Sequence, residues 1–158
     1  KELKVPHNSQ PELGVMIELP SAVEVVDELA SEADFLSIGA NDLVQYVLAV
    51  DRTNEHLSEF YLSYHPAVLR CLKRVAVAAQ AAKKPLSLCG EMAADEKMIP
   101  FLVGIGITTL SVEVRQIPRV HQIISGLNSA ETQKWAETLA RFGRICDVAK
   151  VLQQTAPS

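Results

Sequence analysis

No apolar run in this sequence approaches the ~18 residues that a transmembrane helix needs, which excludes a membrane span of that kind. A signal peptide is missing too, because residues 1–11 are polar where an apolar stretch would stand. Positive charge is short: 15 Lys and Arg against 19 Asp and Glu leave a net charge of −4. With no basic stripe, nucleic-acid binding is excluded. Cysteine is scarce and odd in number, and Cys71, Cys89 and Cys146 lie far apart. That excludes a disulfide framework and fits reduced thiols in a cytoplasm. Aromatic residues, at 5 %, are too few for a sugar-stacking cleft. There is no low-complexity tract and no fixed-period repeat. Length is the last shortage. The 158 residues suffice for one domain, but a (β/α)8 barrel needs at least ~200. What is abundant is apolar residues, at 48 %, enough for a real core.

Those apolar residues follow a rhythm. Short runs alternate with segments of helical period. Val15–Ile17 ends at Glu18, and Ser21–Ala33 then carries Val25, Val26, Leu29, Ala30 and Ala33 at helical spacing. Phe35–Ile38 ends at Gly39, and Leu43–Ala49 can continue as a helix after Asn41 and Asp42. Pro66 opens the clearest helix, which runs to about Lys83. Leu86–Leu88 ends at Cys89-Gly90, and Asp95 is placed to cap a helix closing at Gly104. Thr109–Val112 is the fourth run. A helix over Ile117–Ser125 follows, then one capped by Ser129 that carries Trp135, Leu139 and Phe142. Four strands each followed by a helix predict βα units and a parallel sheet, so the fold class is α/β. Either a small doubly wound sheet or half of a (β/α)8 barrel fits.

In both architectures the ligand face lies at the C-terminal ends of the strands. Three successive runs end there in residues with chemical capability: Glu18, then Asn41 and Asp42, then Cys89. Two carboxylates and an amide oxygen suit a hard cation such as magnesium, which takes one or two protein carboxylates and completes its shell with water and substrate. The plain alternative is that Asp42 caps a helix and Glu18 is an exposed strand end. Cys89 is either a small buried apolar residue or a thiol beside a bound cation that exchanges a proton. Glu91 stands near enough in sequence to orient it. Arg52 is either a solvated loop charge or a clamp for an anion, since guanidinium matches phosphate and carboxylate oxygens. His7, His56, His65 and His121 show no metal-ligand spacing, and His65 before Pro66 reads as a helix-entry residue.

Four motifs stand in order: GVMIELP (14–20), SIGANDLVQYVLAVDR (37–52), LCGEMAADE (88–96) and LSVEVRQIPR (110–119). In order and spacing they resemble the C-terminal phosphoenolpyruvate-binding barrel of Enzyme I of the bacterial phosphotransferase system. The nitrogen-related Enzyme I paralogue looks about equally near. The resemblance implies a (β/α)8 barrel of the phosphoenolpyruvate/pyruvate type, of which this chain holds the C-terminal half, about four βα units. It divides the chain into an upstream connecting segment (1–13), the barrel part (14–152) and a tail (153–158). It implies Mg2+ held by Glu18 and Asp42, substrate phosphate contacted by Asn41 and Asp42, an anion-binding Arg52, and Cys89 as the group that protonates the enolate to pyruvate. It further implies transfer of the phosphoryl group to a histidine of an upstream domain, an HPr-type phosphocarrier as partner in sugar transport, a homodimer, and a cytoplasmic location.

Some positions depart from the family pattern. Ala40 replaces a threonine, Ala94 a glycine, and Val112-Glu113 a Met-Ser or Met-Asn pair. The size and the start without a leader fit a piece that is inactive by itself. Two other readings stand beside this one. One is a magnesium-dependent lyase acting on pyruvate or oxaloacetate enolates, which needs no thiol. The other is a non-catalytic dimerisation module, because a half-barrel leaves two open strand edges.

Overall fold

The four apolar runs lie side by side in the order in which the chain makes them. The computed structural model describes residues 8–153. Its strands are β1 (Gly14–Ile17), β2 (Phe35–Gly39), β3 (Leu86–Cys89) and β4 (Thr109–Ser111), all parallel and in the spatial order β1-β2-β3-β4. Right-handed crossovers are the rule for such units, so an unreversed order stacks the helices on one face. A doubly wound sheet needs a reversal of strand order, and the described strands have none. The fold is α/β with a parallel four-stranded sheet, as expected, and its order is consistent with part of a barrel. Of the segments outside the barrel part, residues 1–7 and 154–158 lie outside the described residues, and His7 with them.

Alternation along the strands gives the sheet two unlike faces. Ile17, Leu36, Ile38, Leu86 and Leu88 are buried on the helix-covered face. Register places Met16, Ser37, Ser87 and Thr109 in one row on the other face. There the Ser87 hydroxyl donates to the Ser37 hydroxyl at 3.1 Å. The helices are α1 (Pro20–Glu24), α2 (Val26–Glu32), α3 (Ala40–Leu48), α4 (Pro66–Ala82), α5 (Ile99–Gly104), α6 (Ile117–Ser125), α7 (Ser129–Leu139) and α8 (Ile145–Leu152). α2 packs on α4, and α5 on α6 and α7. The core is continuous between this layer and the sheet, with Phe101, Leu69, Leu72 and Ile107 fully buried. Among the described residues no helix is long and apolar enough to cross a membrane.

Several boundaries differ from the sequence expectation. The helix expected over Ser21–Ala33 is two helices, broken at Val25 (φ −106°, ψ 25°). Two successive β-branched residues weaken a helix there, and Val25 faces solvent instead of the core. α3 starts at Ala40, not Leu43, with Gly39 at its N-cap position and no side-chain cap. α5 starts at Ile99, because Asp95 caps a separate turn through Lys97 N–H. Gly104 ends α5 within the helix, and Gly106 takes the left-handed conformation at φ 96°. Asn128, not Ser129, caps α7 through Glu131 N–H at 3.2 Å. α7 ends at Leu139, leaving Phe142 outside it, and α8 was not foreseen. The helix-entry reading of His65 stands: its Nδ1 accepts from Ala67 N–H at 3.1 Å.

Candidate functional site

The register that orders the sheet also lines up its C-terminal edge. Gly39 pairs with Cys89, and Cys89 with Ser111. Ile17 pairs with Ile38, so Glu18 falls one step on, beside Gly39. Glu18, Gly39, Cys89 and Ser111 therefore form a single row across four strand ends, on the face that also carries the serines.

Gly39 is what lets Glu18 sit in that row. A Cβ at residue 39 would stand 2.9 Å from Glu18 Oε2 and 3.0 Å from Glu18 Cβ. The missing side chain at 39 is occupied by the carboxylate of 18. One turn on, Asn41 and Asp42 lie in the first turn of α3. Asp42 is not the helix cap but an acid in the first turn, where a carboxylate suits the positive end of the helix. Among the described residues neither the Glu18 nor the Asp42 carboxylate takes part in an ion pair.

Asn41 is used differently from the expectation. Its Oδ1 accepts from Glu91 N–H at 3.0 Å, which ties the amide oxygen to the Gly90–Glu91 turn and leaves its Nδ2 to donate. The approach is close because Gly90 has no side chain: a Cβ there would stand 2.7 Å from Asn41 Oδ1. Gly90 also holds φ 103°, ψ 178°, a conformation open essentially only to glycine. The exposed Glu91 thus touches the site through its backbone, and no hydrogen bond joins its carboxylate to Cys89 among the described residues.

Cys89 is half-buried, and its thiol donates to the Ile38 carbonyl at 3.5 Å. Cys71 lies half-buried in α4, where burial pushes its thiol pKa up, and Cys146 lies exposed in α8. Arg52 stands apart from the strand ends, exposed on the loop after α3, with its backbone N–H on Gln45 Oε1 at 3.3 Å. It is nevertheless within electrostatic reach of the half-buried Tyr61 hydroxyl, as are Asp42 and Glu91. A hollow of about 350 Å3 opens between Ala40, Asn41, Tyr61 and Glu91. A second, of about 390 Å3, lies between Asn41, Gly90, Ser111 and Glu113. Glu18, Asp42, Arg52 and Cys89 line neither of these hollows.

Residues 1–129 match the family described as PEP-utilising enzyme, PEP-binding domain. The chain belongs to this family. It is 43 % identical over 143 residues to the phosphoenolpyruvate-protein phosphotransferase of Listeria monocytogenes, covering 90 % of this chain and 25 % of that protein. The Bacillus subtilis protein of the same name is 39 % identical over 144 residues, with 91 % and 25 % covered. The Staphylococcus carnosus protein is 38 % identical over 143 residues, with 90 % and 25 % covered. The chain therefore spans about a quarter of the length of these relatives. The PEP-binding domain includes the whole strand-end row and ends before α7 closes.

Within this domain the structure sets Glu18 and Cys89 in one strand-end row, ties Asn41 to the Gly90–Glu91 turn, places Asp42 in the first turn of α3 and leaves Arg52 on the loop beyond it. Sequence reasoning passed over Tyr61 and the particular backbone of Gly90. Tyr61 stands in irregular chain with no periodicity to mark it. Gly90 carried a signal, since a glycine after a buried strand often marks close backbone approach.

Proposed function

We propose that this chain is the C-terminal half of the (β/α)8 barrel of a phosphoenolpyruvate-protein phosphotransferase, and that its strand-end row binds phosphoenolpyruvate. The observation that carries the reading is the row itself: Glu18, Gly39 and Cys89 in register, with Asn41 and Asp42 one turn away. Glu18 and Asp42 would hold magnesium. The donor chemistry fits, because two carboxylates, neither engaged in an ion pair among the described residues, match the sparse protein ligation that magnesium accepts. Bound there, the ion would neutralise charge on the phosphoryl group and the enolate oxygen.

The chain's own groups then divide the work. Phosphoryl transfer depends mostly on positioning and on charge stabilisation. Asn41, its oxygen engaged by Glu91, donates from Nδ2 to a phosphate oxygen. Arg52, on the loop beside the site, clamps the anion. When the phosphoryl group has passed to a histidine of another domain, the enolate remains. Cys89 gives its thiol proton to the methylene carbon, forming pyruvate, and the thiolate regains a proton from water. A protonated thiol is required beforehand, and the hydrogen bond from Cys89 to Ile38 is a protonated-thiol contact. An HPr-type carrier, a homodimeric assembly and a cytoplasmic setting belong to the same reading.

The test is Cys89→Ala in the enzyme that carries this chain, with pyruvate formed from phosphoenolpyruvate as the readout. Loss of pyruvate formation supports the assignment. Undiminished turnover would overturn it and favour the lyase, which needs no thiol.

A further inference from the structure

Three segments that are distant in sequence meet at Asn41. The Tyr61 hydroxyl donates to the Asn41 main-chain carbonyl at 2.9 Å. The Asn41 side chain accepts from Glu91 N–H at 3.0 Å. Glu91 follows Gly90, whose glycine-only backbone turns the chain directly after Cys89. A relay therefore runs from the loop after α3, through the first turn of α3, to the turn that directly follows the strand bearing the thiol.

We infer that Tyr61 is a positioning residue, which sets the α3 first turn and, through Asn41, the Gly90–Glu91 turn that aims Cys89. The inference rests on the phosphotransferase reading above for its effect on turnover, but not for the relay itself. Three features support it. Tyr61 is half-buried, so its hydrogen bond to Asn41 is sheltered from water and is worth more than an exposed one. Burial raises the Tyr61 pKa, with Glu91 and Asp42 pushing the same way and Arg52 opposing, so the phenol stays a donor at neutral pH. The Asn41 carbonyl sits at the second residue of α3, so pulling on it tilts the turn that also bears Asp42. Tyr61 stays on the same side of α3 as Ser63, and both border the hollow beside Asn41 and Glu91. It touches no reacting atom in this scheme and acts through Asn41 alone.

Tyr61→Phe keeps the ring and removes only the donor. In the enzyme that carries this chain, kcat for pyruvate formation is expected to fall by roughly tenfold, the size of one lost sheltered hydrogen bond. KM for phosphoenolpyruvate should stay within about twofold, because the loss is in alignment and not in uniform binding. Hydrogen exchange supplies the readout that a merely local role would not move. The Glu91 amide, two contacts away from the mutation, should exchange faster in Tyr61→Phe. Unchanged exchange at Glu91, or an unchanged kcat, overturns the inference. A parent enzyme that makes no pyruvate would instead overturn the phosphotransferase reading, and exchange at Glu91 would still decide the relay.

Discussion

The carboxylate of Glu18 occupies the place where residue 39 would carry a side chain, with Oε2 2.9 Å from the Cβ position of Gly39. Two neighbouring strand ends share one volume, and the glycine yields it to the acid. Gly39→Ala should therefore push Glu18 out of the row without emptying the core. The expected result is a magnesium requirement raised by at least ~10-fold, the lower range for disturbing the support of a metal ligand. Magnesium titration of pyruvate formation measures it. An unchanged requirement would mean that Glu18 is not a ligand.

Gly90→Ala tests a different constraint. The residue holds φ 103°, and an added Cβ would stand 2.7 Å from Asn41 Oδ1. Both strain and collision follow, so unfolding stability should drop by about 1–3 kcal/mol. Denaturant unfolding gives the value. Equal stability of the two proteins would show that the turn relaxes freely.

Much of this architecture was legible in the sequence. The four strands and α4 are marked by apolar runs and by a long 3.6-residue stripe, signals that burial itself imposes. Glu18, Asp42 and Cys89 were legible as strand-end residues because parallel strands end where the chain changes from apolar to polar. The relations among them were not. The space that Gly39 gives to Glu18, and the turning of the Asn41 oxygen toward Glu91, depend on the register of β1 against β2 in the first case and on a contact across 50 residues of chain in the second. α1 and α2 read as one helix because Val25, Val26, Leu29, Ala30 and Ala33 keep helical spacing, and nothing in that pattern marks the break at Val25. α8 was hidden by its shortness and by burying only Val148 and Leu152.

The contact between α5 and α7 depends on a small residue. A Cβ at Gly104 would stand 2.5 Å from the Thr132 carbonyl oxygen and 2.6 Å from Ala136 Cβ. Backbone on one side and a core alanine on the other leave little room to yield. Gly104→Ala should cost about 1–3 kcal/mol, as overpacking usually does. A urea midpoint that falls with the slope unchanged is the expected signature.

Acid should weaken the α2–α4 contact. Asp27 in α2 pairs with Arg74 in α4, and this hydrogen bond holds the Asp27 carboxyl below its ordinary value of 3.8. The folded state thus binds the proton less readily than the unfolded state. The stabilisation is present above about pH 3.8 and is lost as pH falls through the lowered folded value. Asp27→Asn should flatten the acid limb of the stability profile slightly and lower neutral stability by the same small amount, since the pair is exposed. An acid limb of unchanged steepness would contradict the assignment.

The central claim is that phosphoenolpyruvate and magnesium meet over Cys89. Alkylation of the three thiols, located by mass spectrometry in the enzyme that carries this chain, tests it most directly. Cys146 is exposed and should react under all conditions, whereas Cys89 is half-buried at the proposed site. Magnesium and phosphoenolpyruvate together should shield Cys89 and leave Cys146 reactive, with magnesium alone giving no shielding. Equal alkylation of Cys89 with and without the pair would contradict the account.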